Sequence, residues 1–321
     1  MELNSLIYFS ELAKDLNMTR TAERLFLSQQ SLSYHLLRLE EELGARLFER
    51  KPSLKLTAAG EQFLNYSRTA AREFENLKNR ISDIEKQDRG VIRFGASTLR
   101  LSSCLPAILP QFHERYPDVE IRITDSISRQ LVPRVIRGEL DMAITLTGEE
   151  IPVLTAAPLM EDNLYLCVSD GLLQKYFGSE SDRIKAKSSR RASIRDFGEL
   201  PFCLYNNRLG DLIRGLFEEA NIIPKATISS TYTQIGFDLC MRGVVACVAT
   251  QLNLAGLKEI PPDINIFPLY HHGKPVTHPV QLIWRSDRYL SAFSQYFIEL
   301  LTAYFSEVAQ QNVGRIARES L

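Results

Sequence analysis

The sequence predicts an all-α winged helix-turn-helix domain, a long linker helix and then a two-lobed α/β domain. Three features predict it. Thr19–Gly44 holds two amphipathic helical patterns around a very short break. Ala70, Phe74, Leu77, Ile81 and Ile84 recur at spacings of four, three, four and three, a heptad seam. Beyond Gly90 the period changes to strand-length apolar runs alternating with helical ones, the pattern of an α/β sheet. These features divide the chain into a first domain over 1–60, a linker helix over 61–89, an α/β domain over 90–305 and a tail over 306–321.

The first helix spans 3–16, where Leu6, Phe9, Leu12, Ala13 and Leu16 keep helical spacing. Thr19 is placed to cap the next helix, with Arg20 in its first turn within reach of a phosphate. Ala22 and Leu25 share a face of that helix. In the following one Leu32, Leu36, Leu39 and Leu43 form a single stripe, Ser28 is the N-cap and Gly44 the stop. Opposite the stripe lie Gln29, Gln30, Ser31, Ser33, Tyr34, His35 and Arg38. Hydrogen-bonding side chains with one cation suit base edges in a major groove. Taken alone, the same helix pair also fits an ordinary helical bundle.

Leu54 and Leu56 then alternate around a turn at Pro52-Ser53, predicting a short hairpin. Arg46, Arg50, Lys51 and Lys55 gather there against Glu49, so this wing would hold backbone phosphates. The long helix starts from Thr57 as its cap, and its seam predicts a paired linker. A dimer suits DNA with paired half-sites, because two half-sites mirror a twofold protein.

The global numbers agree with this layout. The 321 residues suffice for about two domains, and the net charge is −1. The chain shows neither an apolar run near membrane-span length nor an N-terminal signal pattern, so a cytoplasmic location is expected. Cys104, Cys167, Cys203, Cys240 and Cys247 are dispersed without a CxxC pair, which predicts buried free thiols.

The segment ERLFLSQQSLSYHLLRLEEELGARLFER, followed by LTAAGEQFL, resembles the N-terminal domain of LysR-type transcriptional regulators. The resemblance covers about the first 65 residues without a gap. It implies a dimer or dimer of dimers on double-stranded DNA, with RNA polymerase as a further partner. The chain departs from the family at Gln30, where proline is common, and at Tyr34-His35, where Arg-Gln is common. Ser53 also replaces the basic residue usual in the wing turn.

After the linker, Val91–Gly95, Val119–Thr124 and Asp141–Thr145 read as strands, separated by helices at Leu105–Tyr116 and Leu131–Arg137. A second unit runs through Leu164–Val168, Phe202–Tyr205 and Val244–Ala249. Ile264–Leu269 and Val280–Trp284 look like strands returning to the first unit, and a helix over Tyr289–Phe305 closes the domain. Lobe I is therefore 90–162 with 268–305, and lobe II is 163–267. Two such lobes resemble the periplasmic-binding-protein fold that LysR-type regulators use to sense effectors. Lys185–Arg195 (KAKSSRRASIR) reads as a solvated basic loop.

Ligands of such sheets bind at the carboxyl ends of strands, where helix N-termini favour anions. Ser97, Thr98, Ser102 and Ser128 on lobe I, and Tyr205, Asn206, Thr231 and Thr233 on lobe II, are the candidates for a small polar or anionic metabolite. Each hydroxyl could instead be a plain helix cap. Pro133 would delay the start of the helix after Ser128. The sequence carries no nucleophile, cofactor or metal signature, and His271, His272 and His278 read as surface-loop histidines. No cofactor is expected. The alternatives to a ligand-responsive regulator are a solute-binding module with an oligomerising N-domain and an α/β small-molecule enzyme.

Overall fold

The computed structural model describes residues 3–51, 53–85, 88–146, 150–257 and 259–311. Pro52 of the expected wing turn and residues 312–321 of the expected tail lie outside them. The chain divides into one unit of Met1–Gln87 with the short segment Arg137–Glu139, here called N-terminal, and a C-terminal unit of Asp88–Ile136 and Leu140–Leu321.

The N-terminal unit runs α1 (Leu3–Asp15), α2 (Met18–Arg24), α3 (Gln29–Leu43), β1 (Phe48–Glu49), β2 (Lys55–Leu56) and α4 (Ala58–Ile84). Its core joins Phe9 and Leu12 of α1, Ala22 of α2, Leu32, Leu36 and Leu39 of α3, and Phe63 of α4. Leu43, the last member of the predicted stripe, falls outside this core and is exposed. The helix caps fix the turn angles. Ser28 accepts from the Ser31 amide at 3.1 Å, and Gly44 ends α3 at φ +65. Asn17, rather than Thr19, caps α2 by accepting from the Arg20 amide at 3.0 Å. Thr19 sits one residue inside the helix, because the chain turns at Leu16 with φ +48 and the helix begins at Met18. The wing is tied to α3 by Glu40, whose Oε1 accepts from the amides of Leu47 at 2.7 Å and Phe48 at 3.2 Å.

The C-terminal unit opens with β3 (Gly90–Ala96), α5 (Thr98–Arg115), β4 (Val119–Asp125), α6 (Ser128–Ile136) and β5 (Met142–Thr145). β3 pairs in parallel with both β4 and β5. Then come β6 (Leu154–Ser169), α7 (Asp170–Phe177), α8 (Ser181–Ser188), β7 (Pro201–Tyr205), α9 (Arg208–Glu219), β8 (Lys225–Ser230), α10 (Thr233–Cys240), β9 (Cys247–Thr250), α11 (Gln251–Ala255) and β10 (Ile264–Pro268). A small hairpin of β11 (Tyr270–His271) and β12 (Lys274–Pro275) precedes β13 (Thr277–Arg285) and α12 (Ala292–Gln310).

The lobes share one strand. β6 pairs antiparallel with β13 from Leu154 to Asn163, then with β9 and β10 from Leu164 to Ser169. β13 also pairs with β5, closing the first lobe. In the second, β7 and β8 are parallel, and Phe202 bridges Ala246 just ahead of β9. Each lobe carries its own core, one around Phe202, Phe217 and Val248, the other around Phe94, Phe112 and Phe297.

Several expectations are corrected. Ile264–Pro268 does not return to the first lobe but pairs with Leu166 and its neighbours in the second, while β13 makes the return. α5 begins at Thr98, seven residues before the expected start, and runs through Pro106 and Pro110. A proline within a helix forfeits one backbone bond, a loss that packing on the lobe I core offsets. α6 likewise begins at Ser128, with Pro133 inside it and no delay. Lys185–Arg195 is not a free loop: α8 covers its first part, Ala192 bridges Leu269, and Ile194 enters the lobe II core. α12 extends to Gln310.

Two glycines test these packing claims. A Cβ on Gly44 would meet nothing within 4 Å but would sit at φ +65, so Gly44→Ala should cost about 1 kcal/mol. A Cβ on Gly60 would lie 2.1 Å from the Leu47 carbonyl, and Gly60→Ala should cost about 3 kcal/mol. Urea denaturation of the full chain followed by circular dichroism measures both; the reverse order would refute the seating of α4 against the wing.

Candidate functional site

Two surfaces carry the candidate residues. On the N-terminal unit, α3 turns Leu32, Leu36 and Leu39 inward, which leaves Ser28, Gln29, Gln30, Tyr34 and Arg38 exposed. Ser31, Ser33 and His35 are half-buried on its flanks. The His35 ring packs on Tyr8 of α1, with centroids 5.1 Å apart, and meets the edge of Tyr34. Thr19 and Arg20 are exposed at the start of α2, as are Arg50, Lys51 and Lys55 on the wing. Arg50 stands 3.6 Å from Glu40, so part of its charge is already met.

On the C-terminal unit a cavity of about 720 Å³ opens between the lobes. Ser97, Thr98, Ser102 and Ser128 line it from lobe I, and Asn206, Thr231 and Thr233 from lobe II. It sits at the carboxyl ends of β3, β4, β7, β8 and β9, where α5, α6, α9, α10 and α11 begin, the position expected for a ligand in such sheets. Tyr205 is the exception among the sequence candidates. Its ring is buried in lobe II: its hydroxyl would lie 2.5 Å from a Cβ placed on Gly236. β7 points alternate residues to opposite faces, and residue 205 falls on the core side.

Several of these groups are already engaged. Thr98 donates to Asp125 at 2.6 Å, Ser102 to the Leu99 carbonyl at 3.0 Å, and Ser128 accepts from the Leu146 amide at 3.1 Å. Asn206 accepts from Ser229 at 3.1 Å. Two contacts cross the cleft. Arg208 donates to the Leu146 carbonyl at 2.5 Å, and Arg129 stands 3.5 Å from Asp211.

The floor of the cavity holds residues that the sequence reading did not assign to it. Arg100 is only 4% exposed; its Nη1 donates to Ser97 Oγ at 2.9 Å, and its Nε has no partner. His278 is not on a surface loop. It lies buried in β13, lines the cavity and faces Asp162 across the β6–β13 ladder. Its Nδ1 is 4.0 Å from Asp162 Oδ2. Burial holds the imidazole down to about 3, aided by the charge of Arg100, so the pair is not an ion pair at neutral pH. Burial likewise pushes the Asp162 carboxyl up to about 6, against the opposing pull of Arg100 and the Leu252 amide. Only Arg100 left a trace in the sequence: it shares the Cys104–Ile108 stripe of α5, a cation on an otherwise apolar face. His278 and Asp162 depend on strand register, which no local pattern reveals.

The cysteines are all free and buried, and three that are distant in sequence, Cys167, Cys240 and Cys247, share one apolar cluster. Burial raises the Cys203 thiol, and the Cys247 sulfur together with burial raises Cys240, the opposite of a reactive thiolate. At the β11–β12 turn, His271 is half-buried and His272 exposed. Both approach Glu219, at 2.7 and 3.6 Å. These three donors lie within 4.8 Å of one another, a set that could offer a zinc-like ion three ligands. No described helix is long and apolar enough to cross a membrane.

The polar helix face with its basic wing on one unit and the ligand-sized cleft on the other are the two candidate sites of the chain. Residues 3–61 match the family described as bacterial regulatory helix-turn-helix protein, lysR family, and residues 85–306 match the LysR substrate binding domain. The chain belongs to the LysR family of transcriptional regulators. It is 32% identical over 170 residues to the HTH-type transcriptional regulator YtlI of Bacillus subtilis, spanning 53% of this chain and 55% of that protein. It is 39% identical over 145 residues to the Hca operon transcriptional activator HcaR of Escherichia coli, spanning 45% of this chain and 49% of that one. The chain thus spans about half the length of these two relatives. With CysB of Haemophilus influenzae it shares 25% over 97% of this chain and 94% of that protein. The fold matches CbnR at TM-score 0.60, with 22% identity over 97% of this chain and all of that one; CbnR has also been solved with its target DNA. It matches a full-length OxyR variant of Pseudomonas aeruginosa at TM-score 0.67, with 21% identity over 98% of this chain and 97% of that one.

The buried carboxyl gives a pH test. Asp162 holds its proton more tightly when folded, so the folded state binds more protons between its ordinary value and about 6. Its contribution to stability is therefore present at low pH and falls as pH rises through that window. Asp162→Asn should flatten this part of the melting-temperature profile between about pH 4 and 6. An unchanged profile would mean the carboxyl is not the titrating group.

Proposed function

We propose that this protein is a sequence-specific DNA-binding regulator whose output is set by a small polar or anionic molecule held between the lobes. The observation that carries the DNA half is α3, which commits one stripe to the core and leaves a largely polar face outside, broken by the exposed Leu37, on a unit that also carries a basic wing. Family membership and the DNA complex of the fold neighbour CbnR support the same conclusion. Gln29, Gln30, Ser33, Tyr34, His35 and Arg38 would meet base edges, while Thr19, Arg20, Lys51 and Lys55 would meet phosphates.

The linker helix supports a dimer. Phe74, Leu77, Ile81 and Ile84 of α4 are 39, 51, 49 and 76% exposed along the heptad seam, an apolar stripe that a second copy would cover. A dimer of dimers and a contact with RNA polymerase belong to the same proposal, as do a cytoplasmic site of action and a regulatory rather than enzymatic role. Ligand would act through the cross-cleft contacts of Arg208 and Arg129, by binding one arrangement of the lobes better than another.

Lys55→Ala should weaken binding to every DNA sequence and lower the slope of log affinity against log salt by about 0.9. Gln30→Ala should instead change which sequences are selected from a random pool. Equal loss on all sequences in Gln30→Ala would sink direct readout by α3. Leu77→Asp should convert dimer to monomer in light scattering of the full chain; an unchanged mass would remove the linker from the interface.

A further inference from the structure

We propose that Glu219, His271 and His272 form a site for a divalent transition-metal ion of the zinc class, on lobe II and outside the cleft. The site does not rest on the effector role proposed above.

The three donors come from two elements that one short segment holds together. Glu219 is the last residue of α9, and Arg195 donates to its carbonyl at 3.3 Å. His271 ends β11, just after Leu269 bridges Ala192 and the Tyr270 amide donates to the Ala192 carbonyl at 2.8 Å. Residues 192–195 thus tie the end of α9 to the hairpin, and the backbone of the site is set without an ion.

Adjacent residues of a strand point to opposite faces, so two neighbouring histidines ordinarily diverge. The turn between β11 and β12 prevents this. His272 and Gly273 both have positive φ, +46 and +76, as in a two-residue type I′ hairpin turn. Asn or Asp usually precedes the glycine of such a turn; here a histidine places a ligand there. Its ring lies beside that of His271, with centroids 4.0 Å apart. Both Nε2 atoms approach the same carboxylate oxygen, Glu219 Oε2, at 2.7 Å from His271 and 3.6 Å from His272.

These separations suit a metal. Tetrahedral zinc with ligands at about 2.0–2.2 Å keeps them about 3.3 Å apart, and the two nitrogen-to-oxygen distances fall on either side of that spacing. All three donors lie within 4.8 Å of one another. Small side-chain rotations would seat the ion, since the Glu219 and His272 side chains are 61 and 79% exposed. Two imidazoles and a carboxylate form a donor set for zinc, nickel or copper(II), whereas calcium and magnesium take oxygen ligands. Water would complete the coordination on the exposed side. Without the ion, His271 and Glu219 share one hydrogen bond. The ion would take the place of that proton, which leaves to solvent, and would recruit His272.

The test titrates the full, untagged chain, stripped with a chelator, with zinc chloride at neutral pH in a calorimeter. One equivalent of Zn²⁺ should bind with Kd below about 10 µM, and Mg²⁺ should not. Zn²⁺ should also raise the melting temperature, because it binds the folded chain. His272→Asn keeps a residue that suits the turn, and Glu219→Gln keeps an acceptor for His271. Each should stay folded by circular dichroism yet weaken Zn²⁺ by at least about tenfold. His113→Ala, at an exposed position of α5, should bind Zn²⁺ as the parent chain does. Absence of Zn²⁺ binding, equal binding of Mg²⁺, full retention in both site variants, or an equal loss in His113→Ala would each overturn the proposal.

Discussion

The α/β domain depends on the pairing of one strand, β6, with two sets of partners. Its first part is held by β13 and its second by β9 and β10, so a single run of sixteen residues belongs to both lobes. Backbone hydrogen bonds along its whole length fix its register, and a slip of one residue would turn every side chain to the opposite face. That register sets Asp162 against His278. It also places both beneath the cleft, in contact with the field of Arg100. The geometry of the cavity floor is thus a consequence of sheet pairing, not of any local motif.

A buried floor is an unusual place to store three ionisable groups. Desolvation dominates all three: it drives His278 neutral, holds part of the proton on Asp162 and penalises Arg100. Arginine alone cannot escape by losing its charge. At neutral pH the site is consequently asymmetric, with one permanent cation, one neutral imidazole and one carboxyl that is mostly ionised but holds its proton more tightly than usual. The cross-cleft contacts of Arg208 and Arg129 lie near the mouth of the cavity, where small changes in lobe separation would make or break them.

The N-terminal unit is organised on a different basis. α3 has a narrow buried stripe of Leu32, Leu36 and Leu39, and the wing is hung from the same helix through Glu40. Core and caps are local in sequence, and the exposed face is what the core leaves over. That is why the helix pair, Ser28, Gly44 and Thr57 could be read from spacing alone, while Thr19 was displaced by Asn17 over a two-residue difference in where the helix begins. The hydroxyls of the cleft were legible because they follow strands. Tyr205 was not, because one residue of strand phase decides between cavity and core.

By itself the sequence determined the α-helical N-terminal unit, the parallel β3, β4 and β5 core of lobe I, the seam of α4 and most of the hydroxyl rim of the cleft. All of these follow from periodicities of a few residues and from cap residues, which act over one turn. Only the tertiary structure decided where β10 pairs, that α5 runs through two prolines, that Ala192 and Ile194 join a core, and that Arg100, Asp162 and His278 gather under the cleft. Those outcomes depend on contacts between residues dozens to more than a hundred positions apart. There the energy of burial and register, which no short window contains, overrides local preference.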